Sequence, residues 1–310
     1  MYIRIGFDLV YDVPAPTAMM LMLRTRPERR KDLQRPERLH IEPVMLEQTF
    51  EDAFGNAAGR VALPGGKVRF WYDNIIQDSG VHEPTIEGAT LHPVEAVPPQ
   101  CLQYLLASRY CEVDRLSQMA WDLFGRTPAT WERVQAVMDW VHGHVEFGYQ
   151  YARATKTAVD VCAEKQGVCR DFQHLAITLL RSLNVPARYA TGYLGDIGVP
   201  PNPAPMDFSA WLEVYLGDRW YALDGRHNEP RIGRVLMALG RDATDVAMTT
   251  SFGPARLETF SVWTHEAPAS AIAEPDGVPD DRHVTQLPAP APAPGPAATP
   301  AAGATAASGG

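Results

Sequence analysis

Residues 167–172 of this 310-residue chain read Gly-Val-Cys-Arg-Asp-Phe. Apolar residues then recur at Phe172, Leu175, Ala176, Leu179, Leu180 and Leu183, which is one face of an α-helix. Gly167 offers a turn before this run, and Asn184 with Pro186 ends it. Cys169 is thereby expected in the first turn of a helix. There the unpaired N–H groups and the dipole favour negative charge. A thiol so placed ionises more readily, and the thiolate is the nucleophile. The chemistry expected is covalent catalysis, which also needs a proton partner and a group to orient it.

The flanking sequence shows what positions this turn. Residues 1–98 read as a β-rich domain. Tyr2, Ile5, Phe7, Leu9 and Tyr11 nearly alternate with other residues, Met19–Leu23 is a short apolar run, and Pro64-Gly65-Gly66 precedes a strand at 67–72. A small β-sandwich is the simplest architecture. Residues 99–265 read as a second domain. Val113–Phe124 forms a helix, and Thr127-Pro128 opens another that carries Trp131, Val134, Val137, Met138 and Val141. Thr157 and Asp160 form a capping box, and the Cys169 helix follows. Strands are expected at 188–194, 210–216 and 220–223, with Gly217-Asp218-Arg219 as a hairpin turn. Segments 246–250 and 257–264 complete this second sheet. Residues 266–310, which end in Pro/Ala/Gly/Ser repeats, form a disordered tail. The fold class is α+β, a nucleophile helix packed on an antiparallel sheet and preceded by a β-sandwich.

Several of these segments in order carry a family resemblance. Gly167–Phe172, the helix to Leu183 and Val185-Pro-Ala-Arg-Tyr-Ala-Thr-Gly-Tyr193 resemble the core of the transglutaminase-like superfamily, with its papain-like fold. Ala210-Trp-Leu-Glu-Val-Tyr215 and Trp220-Tyr-Ala-Leu-Asp224 resemble its next two strands. Gly233-Arg-Val and residues 240–246 resemble the bacterial branch of transglutaminase-like cysteine proteases. The resemblance covers about residues 100–265 and implies a Cys–His–Asp triad for acyl transfer through a thioester. A peptidase, an amidase and an acyl transferase all fit it. Cys169 carries over as nucleophile and Asp224 as the orienting acid.

The family histidine directly precedes the Ala-Trp of the first of these strands. Here that position is Ser209, in Asp207-Phe-Ser-Ala-Trp211. Serine cannot exchange a proton near pH 7, and losing general acid–base help costs on the order of 10²–10⁴ in rate. His227, three residues after Asp224, is the candidate replacement if Gly225 turns the chain back toward Cys169; otherwise His227 and Asn228 cap a loop. Asp207 either binds a cationic substrate group or is an ordinary loop carboxylate. Ser209 and Trp211 are further candidate substrate contacts, with Trp211 also reading as core. Arg170 and Asp171 brace the helix start, and His174 packs. The Cys169 backbone N–H is one oxyanion donor, with Gln150 or Tyr151 as a candidate second. Two functions stay open: a cysteine enzyme acting on amide or peptide bonds, and a degraded domain that binds a protein or peptide.

Composition bounds the rest. Net charge is −9, against general nucleic-acid binding. Seven basic residues between Arg24 and Arg38 read as a solvated loop or as an anionic-partner surface, with Glu28, Asp32 and Glu37 among them. No apolar run is long enough to cross a membrane. The N-terminus reads as a strand rather than a leader, so the expected compartment is the cytoplasm. Cys101, Cys111, Cys162 and Cys169 are expected as reduced thiols and lack C-x-x-C spacing. His142 and His144 have no further ligands at sensible spacing. No metal or cofactor is expected, a protein or peptide substrate is, and the oligomeric state is not readable.

Overall fold

Alternation at the N-terminus becomes strand β1 (Tyr2–Val13), which turns Ile3, Ile5, Phe7, Leu9 and Val13 into the core. The computed structural model describes residues 1–84, 88–202 and 206–280, with the backbone of 285 and 286. β1 pairs antiparallel with β6 (Gly66–Gln77) on one side and β14 (Arg256–Ala267) on the other. With β3 (His40–Glu42) and β15 (Thr285–Gln286), the sheet order is β15-β14-β1-β6-β3. A second sheet runs β13-β2-β5-β4, from β13 (Thr249–Ser251), β2 (Thr17–Leu21), β5 (Ala57–Leu63) and β4 (Gln48–Glu51). Phe7, Leu9 and Phe70 from one sheet meet Met19, Leu21, Val61 and Leu63 from the other. The expected β-sandwich is present.

Its composition corrects the expected boundaries. Segments 249–251 and 256–267 complete the sandwich, not the second sheet. β1 needs a partner on each edge, and β14 supplies a register running from Tyr2↔Ala267 to Asp12↔Arg256. The chain after 266 is also ordered further than expected. Ala271 is buried, Arg35 donates to its carbonyl at 2.9 Å, and Gly277 N–H faces the buried Asp73 at 3.4 Å. The remainder of the expected tail lies outside the described residues apart from 285 and 286.

The second region builds from helices α1 (Pro99–Leu102), α2 (Val113–Phe124), α3 (Trp131–His144) and α4 (Ala158–Glu164) around α5 (Cys169–Ser182). Thr130, not Thr127, caps α3, accepting the Glu132 N–H at 3.3 Å. The Thr157–Asp160 capping box of α4 is formed in both directions, at 3.0 and 3.4 Å. A parallel pair, β7 (Glu146–Phe147) and β8 (Gln166–Gly167), leads into α5. One face of α5 packs on the sheet β11-β10-β9-β12, formed by β9 (Ala187–Tyr193), β10 (Ser209–Leu216), β11 (Arg219–Leu223) and β12 (Val235–Gly240). Gly217 and Asp218, at φ of 48° and 68°, make the two-residue hairpin between β10 and β11. Tyr193, Phe208, Val235 and Met237 join the sandwich core, so the two regions share a hydrophobic interior.

Five of the seven basic residues in segment 24–38 stand in ion pairs. Arg24 pairs with Glu47, Arg26 with Glu28, Arg29 with Asp32, Arg30 with Glu37 and Arg35 with Asp73. Interleaved acids close three of these pairs locally, and Glu47 and Asp73 from elsewhere in the chain close the other two.

Candidate active site

Cys169 is the first residue of α5, as its sequence setting requires. The N-cap residue, Val168, has no polar side chain. Asp171, three residues on, reaches back to accept the Val168 N–H at 3.0 Å, half of a capping box. Arg170 donates to Asp171 at 2.9 Å and to the Arg153 carbonyl at 2.6 Å, so these neighbours do brace the helix start. Gly167 serves by close packing rather than by a turn: a Cβ there would stand 2.6 Å from that of Asp171.

Two cavities meet at Cys169. A polar one of about 70 Å³ is lined by Cys169, Asp207, Ser209, Arg226 and His227, with Tyr149 and Arg231. A larger one of about 310 Å³ is mostly apolar and is lined by Val168, Tyr189, Ala210, Val246, Met248 and Phe260. Tyr149, Cys169, Asp207 and Phe208 border both. The structure therefore brings Cys169, Asp207, Ser209 and His227 into one cleft. Trp211 is not there. It is 1% exposed, buried with Ala190 and Leu239 under the Arg234 guanidinium. As a substrate contact at the thiol it is corrected to core: it shares a strand face with Ser209, but Ala190, Leu239 and the Arg234 guanidinium enclose it.

Asp224 is buried behind this cleft. Its Oδ1 accepts Gln173 Nε2 at 3.0 Å and the backbone N–H groups of Arg226 and His227 at 2.9 and 3.3 Å. Its Oδ2 faces Arg234 at 3.5 Å. Burial raises the carboxyl pKa, but Arg234, His227, the Arg226 N–H and Gln173 together hold it below the usual aspartate value. Asp224 thus folds the turn that carries His227. The turn is not the work of Gly225, whose φ is not positive; Asn228 takes the left-handed conformation at 51°. Gln173 went unnoticed in the sequence. Its signal was a polar residue one helical turn after Cys169, and it is fully buried. Tyr149 was also missed, with its neighbours Gln150 and Tyr151 named instead. Gly148 donates to the Gly167 carbonyl at 3.0 Å and thereby sets Tyr149 beside the thiol. Tyr151 donates to Glu146.

The electrostatics disfavour the charged forms of both Cys169 and His227. Burial first, then Asp207 and Asp224, push the Cys169 thiol up to about 12 against the lowering effects of Arg226 and the Ala210 backbone N–H. The His227 imidazole is lowered, chiefly by burial; Asp224 opposes this, and Arg226, Arg231 and Arg234 add to it. Asp207 is exposed to solvent at the cleft, yet crowding by the surrounding protein raises its carboxyl to about 6, against the Phe208 N–H and Arg226. Arg226 lies 3.6 Å from the Phe147 ring centroid. His142 and His144 hydrogen-bond with the carbonyls of Arg226 and Cys162, each at 2.9 Å. His174 is buried against Tyr110 and accepts the Ala243 N–H at 3.1 Å, as a packing residue.

A cysteine at a helix start, backed by a buried aspartate on the antiparallel sheet, agrees with the comparison of families. The model described as "Transglutaminase-like superfamily" matches residues 118–225, the span holding both Cys169 and Asp224. Residues 118–225 are a domain of the transglutaminase-like superfamily. The transglutaminase-like fold extends beyond that span. The crystal structure of a "Putative Cysteine Protease" from Cytophaga hutchinsonii superposes with a TM-score of 0.74 at 28% identity, over 86% of this chain and 90% of that one. Two mycobacterial relatives are uncharacterized proteins. One from Mycobacterium leprae is 28% identical over 116 residues, 37% of this chain and 42% of its own length, so the match spans less than half of that relative. One from Mycobacterium tuberculosis is 27% identical over 234 residues, 67% of this chain and 73% of its own. Among the described residues no helix is long and apolar enough to cross a membrane.

Proposed function

We propose that this transglutaminase-like chain is a cysteine enzyme acting on amide or peptide bonds through a thioester. The reading is carried by Cys169 at the start of α5, in one cleft with His227 and tied through Gln173 to Asp224. The charge balance favours a neutral thiol and a neutral imidazole at rest over a preformed ion pair. Cys169 Sγ attacks the carbonyl carbon while its proton passes to His227. The oxyanion is met by the Cys169 backbone N–H and the Tyr149 hydroxyl, which keeps its proton because burial raises its pKa. The C–N bond breaks as His227 returns the proton to the leaving amine, and water or an amine then takes the acyl group. Asp224 positions His227 through the turn. Ser209 contacts substrate, and Asp207 offers it a negative charge. A protein or peptide is the substrate class, and neither nucleic acid nor membrane is a partner in this reading. The four free cysteines suit a reducing compartment such as the cytoplasm.

The test is acyl-enzyme trapping with p-nitrophenyl acetate, followed by intact mass and peptide mapping. The expected result is one acetyl group on Cys169, lost in Cys169→Ala and slowed at least tenfold in His227→Ala. Acetylation elsewhere, or none, overturns the reading. The high thiol pKa and Ser209 favour a second reading, a peptide-binding module that keeps the fold without the reaction.

A further inference from the structure

The polar cavity beside Cys169 contains two acids and two fixed cations whose pairings differ. Asp196 accepts the Asn202 N–H at 2.6 Å and faces Arg231 at 3.9 Å. Arg231 also donates to the Gly195 carbonyl at 3.0 Å. Arg226 is held over Phe147. Asp207 forms no ion pair among the described residues, although it borders both cavities at the thiol. Pro203, Ala204 and Pro205, just before Met206, carry no charge. The cleft therefore presents one open carboxylate next to the nucleophile. A cation that neutralises it would remove a negative charge from beside Cys169 and add a positive one, and both changes favour the thiolate.

We infer that Asp207 binds a primary ammonium carried by the amide substrate, and that this bound cation helps Cys169 ionise. The substrate class is then an amide or peptide with a free ammonium close to the scissile carbonyl. A volume of about 70 Å³ suits a compact ammonium better than a long guanidinium arm. The ammonium stays protonated throughout; the proton that leaves is that of the Cys169 thiol. The charges facing this sulfur come from three places: Asp207 ahead of β10, Asp224, Arg226 and His227 in the turn after β11, and Arg170 beside it on α5. Among the described residues Asp207 accepts the Phe208 N–H but has no ion-pair partner. The inference rests on Cys169 being the nucleophile proposed above, but its test needs no turnover.

The probe is methylammonium chloride, with sodium chloride at equal concentration as control. The rate of iodoacetamide labelling at Cys169 is followed against pH on the full chain. Methylammonium is fully protonated at pH 7.5, and the expected result is that it raises the labelling rate there about tenfold, equivalent to one unit in the thiol's ionisation. Asp207→Asn should lower the midpoint without any added cation, because it removes the neighbouring charge, and should abolish the response to methylammonium. Equal labelling rates in the two salts at pH 7.5 overturn the inference. So does a methylammonium response that survives in Asp207→Asn. A failure of acyl-enzyme trapping with this response intact would instead count against the proposed reaction.

Discussion

Gln173 bridges the nucleophile helix to the acid strand: its Nε2 donates to Asp224 Oδ1 at 3.0 Å and its Oε1 accepts the Gly225 N–H at 3.1 Å. The same Nε2 lies 3.3 Å from the Ala210 carbonyl, on the strand next to β11. One side chain thus fixes α5, β10 and the turn after β11 relative to one another. Gln173→Leu keeps the volume but strands the Gly225 N–H and weakens the cradle of Asp224. A buried polar group left unpaired costs about 1–3 kcal/mol. Urea denaturation should show a loss of that size, and acyl-enzyme formation should slow even where the variant is folded. A stability within about 0.5 kcal/mol of the parent would mean the bridge is dispensable.

Cys169 lacks an imidazole at Ser209, and burial with Asp207 holds its thiol up at about 12. Half-maximal iodoacetamide labelling should therefore lie above about pH 9, beyond the ordinary cysteine value. Ser209→His places an imidazole in the same cavity. The expected outcome is a labelling midpoint lower by about one unit or more, and faster acyl-enzyme formation, since a positioned base contributes about 10²–10⁴. An unchanged pH profile in this variant would show that position 209 does not reach the sulfur.

Much of this arrangement was legible in the sequence because local chemistry dictates it. The amphipathic run after Cys169, the Thr157–Asp160 box and the Gly217-Asp218 hairpin each depend on neighbours within a few residues. What the sequence hid was non-local. Nothing in 256–267 distinguishes a strand for β11 from one for β1; the choice is made by an open edge of β1 two hundred and fifty residues away. The expected turn at Gly225 is instead made by the Asp224 carboxylate, which periodicity does not reveal. Trp211 reads in the sequence either as core or as a groove wall, and its packing with Ala190 and Leu239 places it in the core. Gln173 and Tyr149 became visible only once α5, β8 and β10 were assembled.

Arg24, Arg26, Arg29, Arg30 and Arg35 all stand in ion pairs with acids of the same chain. Phosphates would have to compete with carboxylates already in place, against a net charge of −9. Fluorescence anisotropy with a labelled DNA duplex at low salt should give no binding tighter than about 100 µM, the weak end of non-specific affinity. Saturable, salt-sensitive binding below that value would identify an unpaired basic surface elsewhere.

The Asp224 carboxyl has a folded-state pKa below its ordinary value, as Arg234, His227, the Arg226 N–H and Gln173 outweigh the effect of burial. A depressed acid stabilises the fold above its unfolded pKa, and this contribution is lost as pH falls through the folded value. Asp224→Asn leaves Arg234 facing a neutral amide. Removing one partner of a buried pair costs about 3 kcal/mol, so urea midpoints should drop clearly at pH 7. The difference between parent and variant should shrink below about pH 4, where the unfolded carboxylate takes up its proton. A difference that is constant with pH would assign the loss to packing rather than to charge.

His174 provides an acid-sensitive group inside α5. Its pKa is pushed down to about 3 by burial; Asp242 opposes this, while Arg170 and Arg181 add to it. The sign is fixed by the unfolded chain, whose histidines titrate near 6.5. Between those values the unfolded state binds a proton that the folded state refuses, so stability falls as pH drops from about 6.5 toward 3. Above that window the group contributes no slope. His174→Gln can still accept the Ala243 N–H but cannot take up the proton. It should be less stable at pH 7.5, having lost the stacking on Tyr110, yet its stability should decline less steeply down to pH 4. For one proton the difference in slope approaches about 1.4 kcal/mol per pH unit. Urea midpoints at pH 7.5, 6 and 5 for both proteins measure it, and parallel lines would refute a buried neutral imidazole.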